Sequence, residues 1–335
     1  MKKFVILLIL LLLIFISCEK KEKIKANENH NFEPGYLKLH KIGELKKRGE
    51  KLWAMMKNCT LCPRMCKAQR INGQKGLCQA DSNLVVSSYH PHFGEEKPLV
   101  GQYGSGTIFF SNCSLRCVFC INWEISHLGI GNKTDIEKLA DMMLKLQNKG
   151  CHNINLVTPT HYSPHILLAL DIAARKGLRI PIVYNTSGYE RLEILKLLDG
   201  VVDIYLPDFK YYDGNKAKKY SYGAYDYPEI TKQALLEMHR QVGIAKPEKN
   251  GLIYKGLMIR HLIMPNNVSG SKDIMKWIAE NLPKDTYINI MSQYRPMYKA
   301  FDFPEISRRI NAKEYVEIVE YAKKLGLTNL DIQGY

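Results

Sequence analysis

Cys113, Cys117 and Cys120 stand in a C-x3-C-x2-C spacing within the stretch GTIFFSNCSLRCVFCINWEIS. Soft thiolates this close together select iron-sulfur clusters. Three of them on a four-iron cube leave one iron without a protein ligand, so that iron can hold a small chelating molecule and bring it beside an electron source. The competing readings are a structural zinc with a distant fourth ligand, or idle thiols.

A second group, Cys59, Cys62, Cys66 and Cys78, is spaced C-x2-C-x3-C-x11-C. Four thiolates suit a closed cage, either a second [4Fe-4S] cluster or a structural zinc, and spacing does not separate the two. Cys151 stands alone and reads as a buried small hydrophobe. Short, clustered spacings in a chain of 335 residues point away from a disulfide framework. Other polar residues draw weaker expectations. His90 and His92 around Pro91, with Glu95 and Glu96, could be ligands or an acid-base pair, but read as a solvated loop. His161 is expected in a polar wall of the site and His165 on the surface. Tyr294 and Arg295 could meet substrate or cofactor.

The elements that must position these groups are legible from residue 104 onward. Runs rich in β-branched residues at 107–110, 154–157, 181–184, 202–206, 257–263 and 287–291 predict six strands. Amphipathic helices fall between them. The clearest is expected to start at Thr134, with Glu137 completing a capping box, and to stop at Gly150. Ser163-Pro164 opens another, since Pro fits the first helical turn. Others are expected at 189–198, 229–242, 273–281 and 312–325. Strict alternation implies parallel strands with right-handed crossovers. The fold class is therefore α/β, a partial (β/α)6 TIM-type barrel over 104–335 preceded by a small Cys-rich module over 46–103. The Cys113 loop directly follows the first barrel strand, at the C-terminal face where such barrels place their sites.

Residues 1–18 differ in kind: Lys2 and Lys3, an apolar run at 4–16, then Ser17 and Cys18. As a helix the run would span about 20 Å, short of the roughly 30 Å hydrocarbon core, so it reads as an export signal. A small residue before Cys18 resembles a bacterial lipoprotein box, although Phe15 replaces its usual aliphatic residue. Residues 19–45, polar and Lys-rich, read as a tether. The expected location is thus at a membrane, as a lipoprotein. Which face stays open, because export conflicts with keeping cluster thiolates reduced. Lys plus Arg outnumber Asp plus Glu by 48 to 33, giving a net charge of +15. These charges are scattered, with no Arg-aromatic stripe, so no nucleic-acid partner is expected.

The chain resembles the radical S-adenosylmethionine superfamily, in particular uncharacterised iron-sulfur proteins similar to pyruvate formate-lyase activating enzyme. The likeness rests on the two cysteine stretches, CTLCPRMC with GQKGLC included, and on INLVTPTHYSPH, YNTSGYE, DIYLPDFKY, IRHLIMP and MSQYRP. It implies that S-adenosylmethionine chelates the open iron and is cleaved to a 5'-deoxyadenosyl radical that abstracts hydrogen from an unknown substrate, a protein such as a glycyl-radical enzyme among the candidates. By the same resemblance Phe119 would contact the adenine. Asn185, Thr186, Asp208 and Lys210 would hold the cofactor and a monovalent cation, and Arg260 would pair with the cofactor carboxylate. A flavodoxin- or ferredoxin-like protein would supply the electron. Three departures are visible: Thr158-Pro159-Thr160-His161 replaces the Gly-Gly-Glu that binds the cofactor's amino group in many members, Asn185 replaces an Asp, and Ile121 a Gln. Radical methyl transfer and sulfur insertion stay open. The alternative from a different class is a membrane-tethered, non-catalytic iron-sulfur or zinc protein acting as electron carrier or scaffold.

Overall fold

Strands buried on both faces need apolar residues at nearly every position, and the predicted runs supply them. A computed structural model describes residues 32–332. Its strands are β1 (Leu84–His92), β2 (Ser105–Phe110), β3 (Asn132–Thr134), β4 (Ile154–Val157), β5 (Ile182–Thr186), β6 (Ile204–Pro207), β7 (Gly256–Leu262), β8 (Tyr287–Met291) and β9 (Leu330–Ile332). They form one sheet in the order β3-β1-β2-β4-β5-β6-β7-β8-β9. From β2 to β9 every pairing is parallel, whereas β1 runs antiparallel to both β2 and β3.

The six strands expected from sequence are β2 and β4 to β8, and with the helices between them they make the partial TIM-type barrel. Alternation sorts their side chains. Tyr184, Tyr205, Leu257, Ile259, Ile288 and Ile290 belong to the main apolar core that the helices share. Val183, Ile204, Leu206, Met258 and Tyr287 form a second cluster, into which Leu99 inserts. The segment between β1 and β2 thereby plugs the barrel through its helical turn Lys97–Val100.

Three expectations need correction. Thr134 belongs to β3, and the helix Ile136–Asn148 is capped by Asp135, whose carboxylate accepts from Lys138 N at 2.7 Å. The tether does not run to residue 45. Gly35–Lys41 and Glu44–Ala54 are helices, because Tyr36, Leu37, Leu45 and Leu52 give them an apolar face that is fully buried. The Cys-rich stretch does not build a core of its own either. Its buried residues join the barrel's main cluster, and the strand β1 that ends it pairs with β2. The leader expected at 1–18 and the start of the tether lie outside the described residues. Among the described residues no helix is long and apolar enough to cross a membrane.

Asp203 ties the N-terminal helices to the barrel, accepting from Gly35 N at 3.0 Å and Ile182 N at 2.9 Å. Burial pushes its carboxyl up to about 7, against those two hydrogen bonds. In the unfolded chain it ionises near 3.8. The folded chain therefore keeps a proton that the unfolded chain has lost between those values, so this group's contribution to stability falls as pH rises from about 4 to 7. Asp203→Asn removes the slope. Urea denaturation should show the wild type losing stability relative to this variant, on the order of 4 kcal/mol across that window. A constant difference would refute the assignment.

Candidate functional site

β2 ends at Phe110, and Ser111 leads into the three-thiol loop. Asn112 and Arg116 adopt left-handed backbone conformations, with φ of 72° and 52°, and bend the chain around the thiols. The loop is held by backbone bonds from Asn112 N to Ile125 O (2.9 Å) and Val118 N to Tyr220 O (2.9 Å). Each sulfur has a donor: Leu115 N to Cys113 (3.4 Å), Ser221 Oγ to Cys117 (3.1 Å) and Ser126 Oγ to Cys120 (3.2 Å). All three cysteines are free. Burial pushes the Cys117 thiol up to about 12, and nearby Cys113 and Cys120 oppose its ionisation further, partly offset by Lys210. Such a pocket holds thiolates when a cationic metal centre compensates them. Among the described residues, no three Cys, His, Asp or Glu side chains gather closely enough for a single metal ion. Three soft thiolates on one loop are the donor set a four-iron cube takes, each on a separate iron.

The second thiol group is equally coherent. Burial raises the Cys62 thiol, and Cys78, Cys59 and Cys66 each oppose its ionisation. Gly76 leaves room for the sulfurs, since a Cβ there would stand 3.2 Å from that of Cys66 and 3.5 Å from that of Cys78. Arg70 is fully buried beside them, donating to Asp81 O (3.0 and 2.8 Å) and His161 O (2.9 Å), with Nη1 3.7 Å from Cys59 Sγ. A buried guanidinium needs an anion, and a thiolate-rich metal centre would be one. Cluster and zinc both satisfy this. The two thiol groups adjoin: Arg64, between Cys62 and Cys66, donates to Ser114 O (3.0 Å), Leu115 O (3.4 Å) and Ser221 O (2.8 Å).

Four of the residues expected to bind the cofactor meet in one network. Arg260 gives Nε to Asp208 Oδ1 (2.9 Å) and Nη2 to Asn185 Oδ1 (2.6 Å), while Lys210 Nζ reaches Asp208 Oδ2 (2.6 Å). Burial opposes ionisation of Asp208, but Arg260 and Lys210 outweigh it and hold its carboxyl below the usual range. Gly188 secures the approach of the following chain. At φ 78°, a Cβ there would lie 2.2 Å from Asp208 O. Thr186 stands apart from the network, because strand alternation turns its hydroxyl to Glu190. Phe119 is buried edge-on against Tyr211 and Tyr294, ring centroids 6.3 and 5.8 Å away. Tyr294 donates to Ile306 O (2.7 Å), and Arg295 is exposed.

Several polar residues depart from expectation. His161 and His165 are both buried, each with Nε2 2.8 Å from a carbonyl, Ser111 O and Ser82 O respectively. Carbonyls only accept, so both Nε2 atoms carry the proton. Burial lowers these imidazoles to about 3 and about 4, keeping both neutral. His90 and His92 lie on β1 against Phe109. Glu95 and Glu96 are not in a solvated loop. Their side chains enter the barrel, where Glu95 Oε2 is 3.9 Å from Arg260 Nη1 and Glu96 Oε1 accepts from Asn289 Nδ2 at 3.0 Å. Burial pushes the Glu95 carboxyl up to about 7, with Arg260 opposing. The plugging segment, with apolar Leu99 just beyond, was the signal in the sequence.

A partial barrel carrying a three-thiol loop at the C-terminal end of its first parallel strand defines a class, the S-adenosylmethionine-dependent radical proteins. The Radical SAM superfamily profile matches residues 107–235. An uncharacterised protein of Methanocaldococcus jannaschii is 31% identical over 317 residues, covering 91% of this chain and 86% of its own. The chain belongs to the radical SAM superfamily. Two solved structures are more distant. Streptococcus suis SuiB bound to S-adenosylmethionine matches at TM-score 0.44 and 12% identity, over 66% of this chain and 48% of that one, so this chain spans about half of SuiB. Methylornithine synthase PylB matches at TM-score 0.42 and 14% identity, over 66% and 68%. Membership implies a [4Fe-4S] cluster, S-adenosylmethionine and chemistry started by a radical derived from it. It weighs against the non-catalytic scaffold.

Proposed function

We propose that Cys113, Cys117 and Cys120 hold the [4Fe-4S] cluster, that S-adenosylmethionine binds between this loop and the Asn185-Asp208-Lys210-Arg260 network, and that the enzyme abstracts hydrogen from a bound substrate. The observation that carries this reading is the loop itself: three free, inward-set thiols, each with a hydrogen-bond donor. When bound, the cluster supplies one electron to the sulfonium, releasing the 5'-deoxyadenosyl radical. The residues do the rest by binding and orientation. Lys210 is raised by Asp208 and the Cys117 sulfur against the effect of burial, so it stays cationic beside the loop. Arg260, held in place by Asp208 and Asn185 through Nε and Nη2, is the cation for the cofactor carboxylate. Phe119 lines the adenine side. A flavodoxin- or ferredoxin-like reductant delivers the electron, and residues 1–18 act as a lipoprotein leader. Cys59, Cys62, Cys66 and Cys78 hold a second cluster or zinc.

The test is anaerobic reconstitution with iron and sulfide, then dithionite and S-adenosylmethionine. 5'-Deoxyadenosine and methionine should appear in equal amounts. Fully loaded wild-type protein that forms neither would end this reading.

A further inference from the structure

A cavity of about 350 Å³ lies where the β1–β2 connection meets β7, β8 and β9, lined by Glu95, Glu96, Lys97, Arg260, Asn289 and Asp331 among others. That volume suits a ligand of amino-acid size. The cavity's acids, Glu95, Glu96 and Asp331, outnumber its cations, Lys97 and Arg260. Asp208, behind the wall, holds both Arg260 and Lys210, and Asp331 accepts from Tyr287 OH at 2.6 Å. Glu95 has Arg260 Nη1 at 3.9 Å and the Asn155 side chain beside it. Glu96 is 6% exposed, yet its Oε2 has no partner; Asn289 is 3% exposed, and its Oδ1 has none. Buried acceptors without donors cost stability, a carboxylate oxygen most of all. Two such acceptors beside a second carboxylate complement a group that brings several donors and a positive charge.

We propose that this cavity is the substrate pocket of the radical enzyme, and that its substrate is a small molecule bearing a primary ammonium, received by Glu96 Oε2, Asn289 Oδ1 and Glu95. The substrate assignment rests on the radical reading above, and Arg260 connects the two sites: one face of its guanidinium closes the cavity while the other holds Asp208, which reaches Lys210 beside the cluster loop.

The probes are n-butylammonium and its uncharged analogue n-butanol, titrated into the reconstituted full chain by ligand-observed NMR. Wild type should prefer the ammonium by about tenfold or more, and Glu96→Gln should bring the two within about twofold. Glu95→Gln, equally isosteric, should also lower the preference and carries the comparison if Glu96→Gln does not fold. Equal binding of both probes by wild type, or an undiminished preference in the variants, overturns the proposal. The cleavage assay separates the two readings. Cleavage without ammonium preference removes the pocket and leaves the radical enzyme; preference without cleavage leaves an amine site and removes the radical enzyme.

Discussion

Cys117→Ala is expected to abolish 5'-deoxyadenosine formation, and its iron content after reconstitution should fall by roughly four per chain relative to wild type. Two thiolates cannot retain a cube against exchange with solvent, so the loss should be of the cluster and not of a rate alone. The fold should survive. The loop is secured by backbone bonds at Asn112 and Val118 and by Arg64, none of which uses the Cys117 side chain. Cys151→Ala is the control, since that thiol is also buried but sits three residues before β4, away from the loop, with Tyr103 O 3.8 Å from its sulfur. It should load and react as wild type does. A Cys117→Ala protein that keeps its full iron and still yields product would remove the cluster from this loop.

Arg260→Met should cost about 3 to 5 kcal/mol of stability, read as a lower urea midpoint. Arg260 is the only cation that touches Asn185, Asp208 and Glu95 together among the described residues, and its side chain is 17% exposed. Met fills much of the same volume but leaves Asp208 with Lys210 alone and Glu95 with no counter-charge. Most of the cost is therefore an uncompensated carboxylate and not a lost contact. The double variant Arg260→Met with Glu95→Gln should recover part of it. If the single variant melts with wild type, or the second substitution makes matters worse, this account of the network is wrong.

What the sequence disclosed, and what it hid, follows from range. The cluster loop is local: its thiols lie within one short stretch, and type and spacing carry the chemistry. The six barrel strands were equally plain, because burial on both faces writes itself as continuous apolar runs. β1 was hidden because it is half exposed and contains Pro91, and β3 because Asn132–Thr134 has no apolar residue. The helix Glu44–Ala54 did show a trace of its face, Leu45 and Leu52 seven residues apart, diluted by five Lys, Arg and Glu neighbours between them. The polar interior was the least legible. Glu95 and Arg260 meet only through the closed barrel, and two adjacent glutamates followed by a lysine look like any solvated turn until Leu99 is seen to plug the core. His165 misled for the same reason: Trp53, whose ring centre lies 4.8 Å from its own, comes from a segment read as separate from the barrel.

Arg64 stands between two thiols of one group and grips the carbonyls of Ser114 and Leu115 inside the other. A shift of the backbone between Cys62 and Cys66 would therefore be carried by that guanidinium to the carbonyls just after Cys113.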